Sequence, residues 1–415
     1  MNRRHLMAIA LGYAWTTSLT GYNVSTKKHI RSFAKIFTCL KDPEFRKKEI
    51  GDSLLIVEGA EFSGERFDGM EWRNVVFKNC DFIGAYDIGP KTAIDLRYED
   101  CNFTGILSFG VTSNVRFFRC QWKGAPVMFA EKGSTNTWFE ACTFEGASSD
   151  PNQQGTVGSE GEAHFVKCKA KWINWTGDSV LSIQDCECED ISIHTDSSAN
   201  SGVGYLSSAF VIERSKLRGT FGMAACHLES LTVRDTVMDN LDLTNATIKG
   251  DVVIERVKGG AMQIGIKEGA GSFTLKDSQV YGNGDAICYI YAGAFKSVLV
   301  ERSIFGGDVT KPTVIGGGFD PDIKSAQPTA TQSFVLRGNK VPFLRSGYLN
   351  AGHVVIEGNS IDSLDLQQSR VDELEIANNT ITRSVNFTGT QAKKSKVQTL
   401  VNGQADLAGS NIKMN

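Results

Sequence analysis

Between Ala60 and Ala85 the chain reads AEFSGERFDGMEWRNVVFKNCDFIGA, and its large aromatic residues, Phe62, Phe67, Trp72, Phe77 and Phe82, fall five apart. A helix returns to one face about every 3.6 residues and a strand every two, so neither buries one bulky residue in every five. The spacing demands a coiled backbone. Such a coil turns a corner every five residues and sends one large side chain inward from each face, with small residues such as Ala60 and Cys80 pointing in two positions earlier.

After Ala85 the five-residue rhythm loosens, but a longer one continues in Tyr98–Phe103, Phe117–Trp122 and Phe139–Phe144: apolar, two mostly polar, small, polar, apolar. The small position recurs at Cys80, Cys101, Cys120, Cys142, Cys168, Cys186, Ser215, Thr236, Val257, Ser278, Ser303, Asn339, Asn359 and Asn379. Its steps are 21, 19, 22, 26, 18, 29, 21, 21, 21, 25, 36, 20 and 20. Twenty residues make four pentapeptides, about one turn of a parallel β-helix whose coils lie roughly 4.8 Å apart. The expectation is an all-β fold, a single-stranded right-handed parallel β-helix (solenoid) of about sixteen coils and roughly 75 Å, with right-handedness taken from the preference of parallel crossovers.

Residues 60 to 85 resemble pentapeptide-repeat proteins, with Cys80-Asp81-Phe82-Ile83-Gly84 close to that family's unit of small residue, Asp or Asn, Leu or Phe, polar residue and variable residue. The later coils are similar to right-handed parallel β-helix proteins of the pectate-lyase type, and the resemblance spans residues 60 to about 405. It implies an architecture. It implies no particular activity, because fold does not imply function.

The repeat also assigns structural roles. Cys80, Cys101, Cys120, Cys142, Cys168 and Cys186 share the inward small position, where stacked Cβ atoms lie a full ladder step apart, wider than a relaxed disulfide accepts. Free thiols are expected, and no metal site, since ligands must converge on a point. Asn339, Asn359 and Asn379 continue the series and resemble the asparagine ladders of parallel β-helices, in which stacked amides hydrogen-bond one to the next.

The chain before the coils divides in two. Residues 1–21 read as an export signal, with Arg3, Arg4 and His5 before an apolar run from Leu6 to Trp15 that is too short to span a bilayer. The alternative is an N-terminal helix of a cytoplasmic protein. Residues 22–50 show helical spacing at Ile30, Phe33, Ala34, Phe37 and Leu40, with Ser25 and Thr26 as N-cap candidates and Pro43 as an end or break. This helix is expected to cap the apolar end of the β-helix, which occupies residues 51–415.

A net charge of -3 offers no general attraction to nucleic acid or anionic lipid. The asparagine-leucine-aspartate run Asn240-Leu241-Asp242 matches a fragment of the polygalacturonase pattern without its other elements, and His353 has no neighbouring carboxylate in sequence. Asp242 reads as an outward residue between two inward leucines. No P-loop, dinucleotide fingerprint or nucleophile elbow occurs, so neither catalytic residues nor a cofactor are assigned.

Function is expected where the rhythm breaks, at the insertions 147–162, 195–208 and 306–332. Partner-binding candidates are Asp308, Lys311, Phe319, Asp320, Asp322 and Lys324 in the last and Tyr205 in the second, with Asp320 and Asp322 also chemically suited to Ca²⁺. The expected function is non-catalytic binding of another protein by an exported, periplasmic rod. A sharper version is an immunity protein that neutralises a toxin such as a lipase effector of a type VI secretion system. The rivals are a polysaccharide lyase or glycoside hydrolase, and a cytoplasmic pentapeptide-repeat protein that protects a DNA-binding enzyme.

Overall fold

The computed structural model describes residues 28–29, 33–64, 67, 69–83, 90–104, 109–123, 127–129, 133–145, 156–159, 161–175, 180–194, 206–207, 209–224, 227–243, 246–265, 268–269, 271–282, 288–307, 312–317 and 331–414. They form a right-handed parallel β-solenoid. Its first face runs in unbroken parallel register from Leu55–Glu58 through Glu71–Lys78, Thr92–Glu99 and Val111–Phe118 and on to Gln391–Val401. A short second face follows each small residue, as in Asp81–Ile83, Asn102–Thr104 and Gln121–Lys123. The third face carries strands from Val127–Phe129 to Gln404–Asp406, and the solenoid has about 12 turns. That is fewer than the sixteen or so coils that the sequence repeat leads one to expect.

The period of five has a backbone cause. Gly59, Gly64, Gly69, Asn74 and Asn79 all adopt positive φ, so the chain turns a left-handed corner at each fifth residue. Glycine and asparagine tolerate this conformation best. Farther on, one such corner persists in coil after coil, immediately before the small position, at Asp100, Arg119, Ala141, Lys167, Asp185, Arg214, Asp235, Arg256, Asp277, Arg302, Gly338, Gly358 and Asn378.

Two columns of rings fill the first coils. Phe77, Tyr98, Phe117, Phe139 and Phe165 stack face to face at 4.7 to 4.9 Å. Phe62, Phe82, Phe103, Trp122 and Phe144 do the same at 4.6 to 4.9 Å. Ring spacing equals coil spacing, which is why aromatic residues suit this repeat. The first column continues as Ile183, Ile212, Val233, Ile254, Leu275, Val300, Leu336, Ile356 and Ile376, all buried.

The small residue completes the corner. Its side chain accepts the backbone N–H of its counterpart one coil earlier: Cys186 N–H donates to Ser215 Oγ, Ser278 N–H to Ser303 Oγ, Ser303 N–H to Asn339 Oδ1 and Asn359 N–H to Asn379 Oδ1. It also donates inward, as Ser278 Oγ does to Lys276 O at 2.7 Å and Asn359 Nδ2 to Leu336 O at 3.0 Å. Val257 interrupts the series with a side chain that can do neither. The six stacked cysteines are free and buried, each Sγ donating to backbone carbonyls such as Lys78 O for Cys80 and Val166 O for Cys168. Burial is the largest cause pushing the thiol of Cys188, two residues beyond the ladder position of Cys186, up to about 12, so that sulfur stays protonated.

The N-terminal end is helical with the expected break at Pro43, but its helices start later than the sequence spacing indicates. Two helices form, α1 (Phe33–Lys41) and α2 (Pro43–Ile50), hinged at Asp42, whose carboxylate accepts the N–H groups of Glu44 and Phe45. Lys28–His29, inside the stretch read as helical, is a strand paired with Leu55–Ile56, where it covers the first coil's open edge. Ser25 and Thr26 lie outside the described residues. Ile36, Cys39, Leu40 and Ile50 join the solenoid core while Ala34 is exposed, and Trp72 Nε1 donates to Leu40 O.

Candidate functional site

Four residues before each small position the chain is on the first face with its side chain on the outer side of the strand, exposed at Arg116, half-buried at Trp138 and His164 and buried at Ser182. In four successive coils this position holds Arg116, Trp138, His164 and Ser182, which the strand register sets side by side. The rings of Trp138 and His164 stack at 4.2 Å and 19°, and the Arg116 guanidinium lies 5.9 Å from the Trp138 ring. His164 Nδ1 is 2.7 Å from Ser182 Oγ, and His164 Nε2 is 2.8 Å from Glu162 Oε1.

The hydrogen bond from His164 is the largest cause holding the Glu162 carboxyl below the usual range, against the opposing effect of burial. An ionised carboxylate only accepts, so the Nε2 proton must reside on His164. That tautomer leaves the Nδ1 lone pair free to accept the Ser182 hydroxyl proton. Glu162 is the last residue of the first insertion, and the second insertion returns to the coil at 209, one strand beyond Ser182. The cluster therefore lies between two breaks in the repeat.

Beside it, Arg119 stands 4.0 Å over the Phe118 ring and binds Asp100 through Nε and Nη2 at 2.6 Å each. No family model, curated protein or solved structure matches the chain.

Farther along, a ridge of paired charges crosses the first corner. Glu213, Arg234, Glu255, Lys276, Glu301, Arg337 and Glu357 face one another in register, and the corner residues beside them carry the opposite sign: Arg214, Asp235, Arg256, Asp277 and Arg302. Arg256 pairs with Asp235 and Glu255, and Arg302 with Asp277 and Glu301. The corner arginine holds the carboxyls of Asp235 and Asp277 below the usual range. The ridge neutralises itself and favours a single register.

The sequence-based candidates Asp308, Lys311, Phe319, Asp320, Asp322, Lys324 and Tyr205 lie outside the described residues. Asp242 is partly exposed between buried Leu241 and Leu243, and His353 is exposed in register with Glu373. Cys80, Cys101, Cys120, Cys142, Cys168, Cys186, Asn339, Asn359 and Asn379 are all buried at the inner corner. Sequence reasoning passed over His164 and Ser182. Their signal was visible: each stands four residues before a ladder cysteine, the same offset as Trp138 and Arg116.

Proposed function

We propose that the chain is a protein-binding β-solenoid that docks its partner on the outer first face in the coils just before the first insertion. The observation that carries this reading is the outward grouping of Arg116, Phe118 and Trp138 on two paired strands with Arg119 at the adjoining corner. Arginine and tryptophan dominate interface hot spots, and a backbone already fixed by inter-coil hydrogen bonds loses little ordering entropy on association. No helix among the described residues is long and apolar enough to cross a membrane.

The finer reading joins this face to the export signal in residues 1–21 and to the pentapeptide-like first coils: a periplasmic immunity protein that occludes a secreted toxin, with a lipase-type effector of a type VI system as the partner. Its support is the combination of a signal-like start and a rigid scaffold. The test is co-purification from the native host with wild type, Trp138→Ala and Arg116→Glu. A specific partner retained by wild type and weakened roughly 30-fold by either variant, the effect of losing a hot spot, supports the reading. Recovery of only abundant nonspecific proteins, or equal retention by all three, overturns it.

A further inference from the structure

The geometry points to a second property of this face, independent of the binding reading: Ser182 is an activated nucleophile, with His164 as its general base and Glu162 as the positioning residue, competent to take an acyl group from a carboxylic ester. Three observations converge. The hydroxyl lies 2.7 Å from Nδ1, the second ring nitrogen lies 2.8 Å from a carboxylate oxygen, and that carboxylate is held ionised by the same contact. A nucleophile hydrogen-bonded to a base that a third group orients is the arrangement hydroxyl catalysis requires. The imidazole is also fixed in its plane by Trp138, stacked 4.2 Å away, so its lone pair stays aimed at Ser182 Oγ.

A purely structural ladder needs none of this. The next five outward positions on the same line, Val211, Thr232, Val253, Thr274 and Leu299, carry no base. His164 and Ser182 stand in the two adjacent coils between the first two insertions.

In the step proposed, Ser182 Oγ attacks the ester carbonyl carbon while its proton passes to His164 Nδ1. The tetrahedral adduct collapses with cleavage of the bond to the leaving alcohol, which takes the proton from His164. The acyl group stays on Ser182 until water, deprotonated by the same nitrogen, attacks the acyl carbon; the acyl–Oγ bond breaks, the proton returns from Nδ1 to Ser182 Oγ and the acid leaves. Glu162 stays ionised throughout and stabilises the imidazolium across Nε2.

The experiment treats the full chain with an alkyl fluorophosphonate, whose P–F bond breaks as Oγ–P forms and fluoride departs, and follows adduct formation by peptide mass mapping and p-nitrophenyl acetate cleavage in parallel. An adduct on Ser182, absent in Ser182→Ala and slowed at least 100-fold in His164→Ala, is expected. Glu162→Gln keeps an acceptor but removes the charge that favours imidazolium, so the pH midpoint of labelling should move down while thermal unfolding stays near wild type. A folded wild type that leaves Ser182 unlabelled, or labels it no faster than His164→Ala, overturns the proposal. So does an unchanged pH midpoint in Glu162→Gln. Loss of partner retention in the pull-down would leave these labelling results untouched.

Discussion

In the coils from Phe77 to Phe165 the core is a pair of stacked aromatic columns and the corner is lined by thiols, whereas the last coils have aliphatic cores and a corner lined by Asn339, Asn359 and Asn379. The corner contacts differ in quality. Cysteine sulfurs sit 3.2 to 3.6 Å from their carbonyls, while the asparagines make amide contacts of 2.7 to 3.0 Å and bind one another as well. Thiols are weak donors and weak acceptors, so the early coils rest chiefly on ring packing. The late coils have smaller side chains to bury and rely more on a continuous amide ladder.

The largest expected break of this contrast is Phe117→Ala, which opens a gap in the middle of a stacked column. It should cost about 3–5 kcal/mol by urea unfolding. Next comes Asn359→Ala. It removes the acceptor for the Asn339 N–H and Nδ2, and the donor to Leu336 O, in a buried corner. A loss of about 3 kcal/mol is expected, against about 1 kcal/mol for Cys120→Ala, which gives up weaker bonds and a small buried sulfur. Equal losses at the two corners would erase the distinction.

Val257→Thr should sharpen it in the other direction. The added hydroxyl keeps the β-branched shape and supplies an acceptor at the corner where Thr236 already donates to Arg234 O. A gain of roughly 1 kcal/mol is expected, one net hydrogen bond. The smallest effect is electrostatic. Asp100, Asp235 and Asp277 have carboxyls held below their ordinary value by corner arginines, so their contribution is complete above that value and fades as the pH falls through the lowered one. These groups are open to solvent and the pairs are screened. Asp235→Asn plus Asp277→Asn should therefore lower the melting temperature slightly at neutral pH and flatten the acid limb of the profile by the same small amount, the two proteins converging at low pH.

How much of this was legible in the sequence follows from what each residue must do. The solenoid was readable because Phe62, Phe77 and Phe82 have to point inward at fixed intervals, and the cysteine and asparagine positions because a tight corner admits only small or hydrogen-bonding side chains. The left-handed corners were less legible, since Asp100, Arg119 and Lys167 occupy a conformation usually given to glycine. What favours Asp and Arg there is a partner one coil away, which propensity does not register. The start of the helical cap was misplaced because Lys28–His29 answers to the exposed edge of Leu55–Ile56, a tertiary demand. The His164–Ser182–Glu162 group escaped notice for a similar reason. Its members are separated by 18 and 2 residues, and only the coil register brings them together.

That register is the claim on which both the fold and the site depend, and spin-label distances measure it directly. Labels on cysteines introduced at outward positions Arg116 and Thr232 are five ladder steps apart and should lie about 24 Å from each other. Thr232 and Lys396 are seven steps apart and should lie about 34 Å from each other, and the Arg116–Lys396 distance should equal the sum, about 58 Å. The nine native thiols among the described residues are buried and should stay unlabelled. Narrow, additive distances of this size are the predicted result; a distance for the longest pair well short of the sum would contradict a stacked-coil rod.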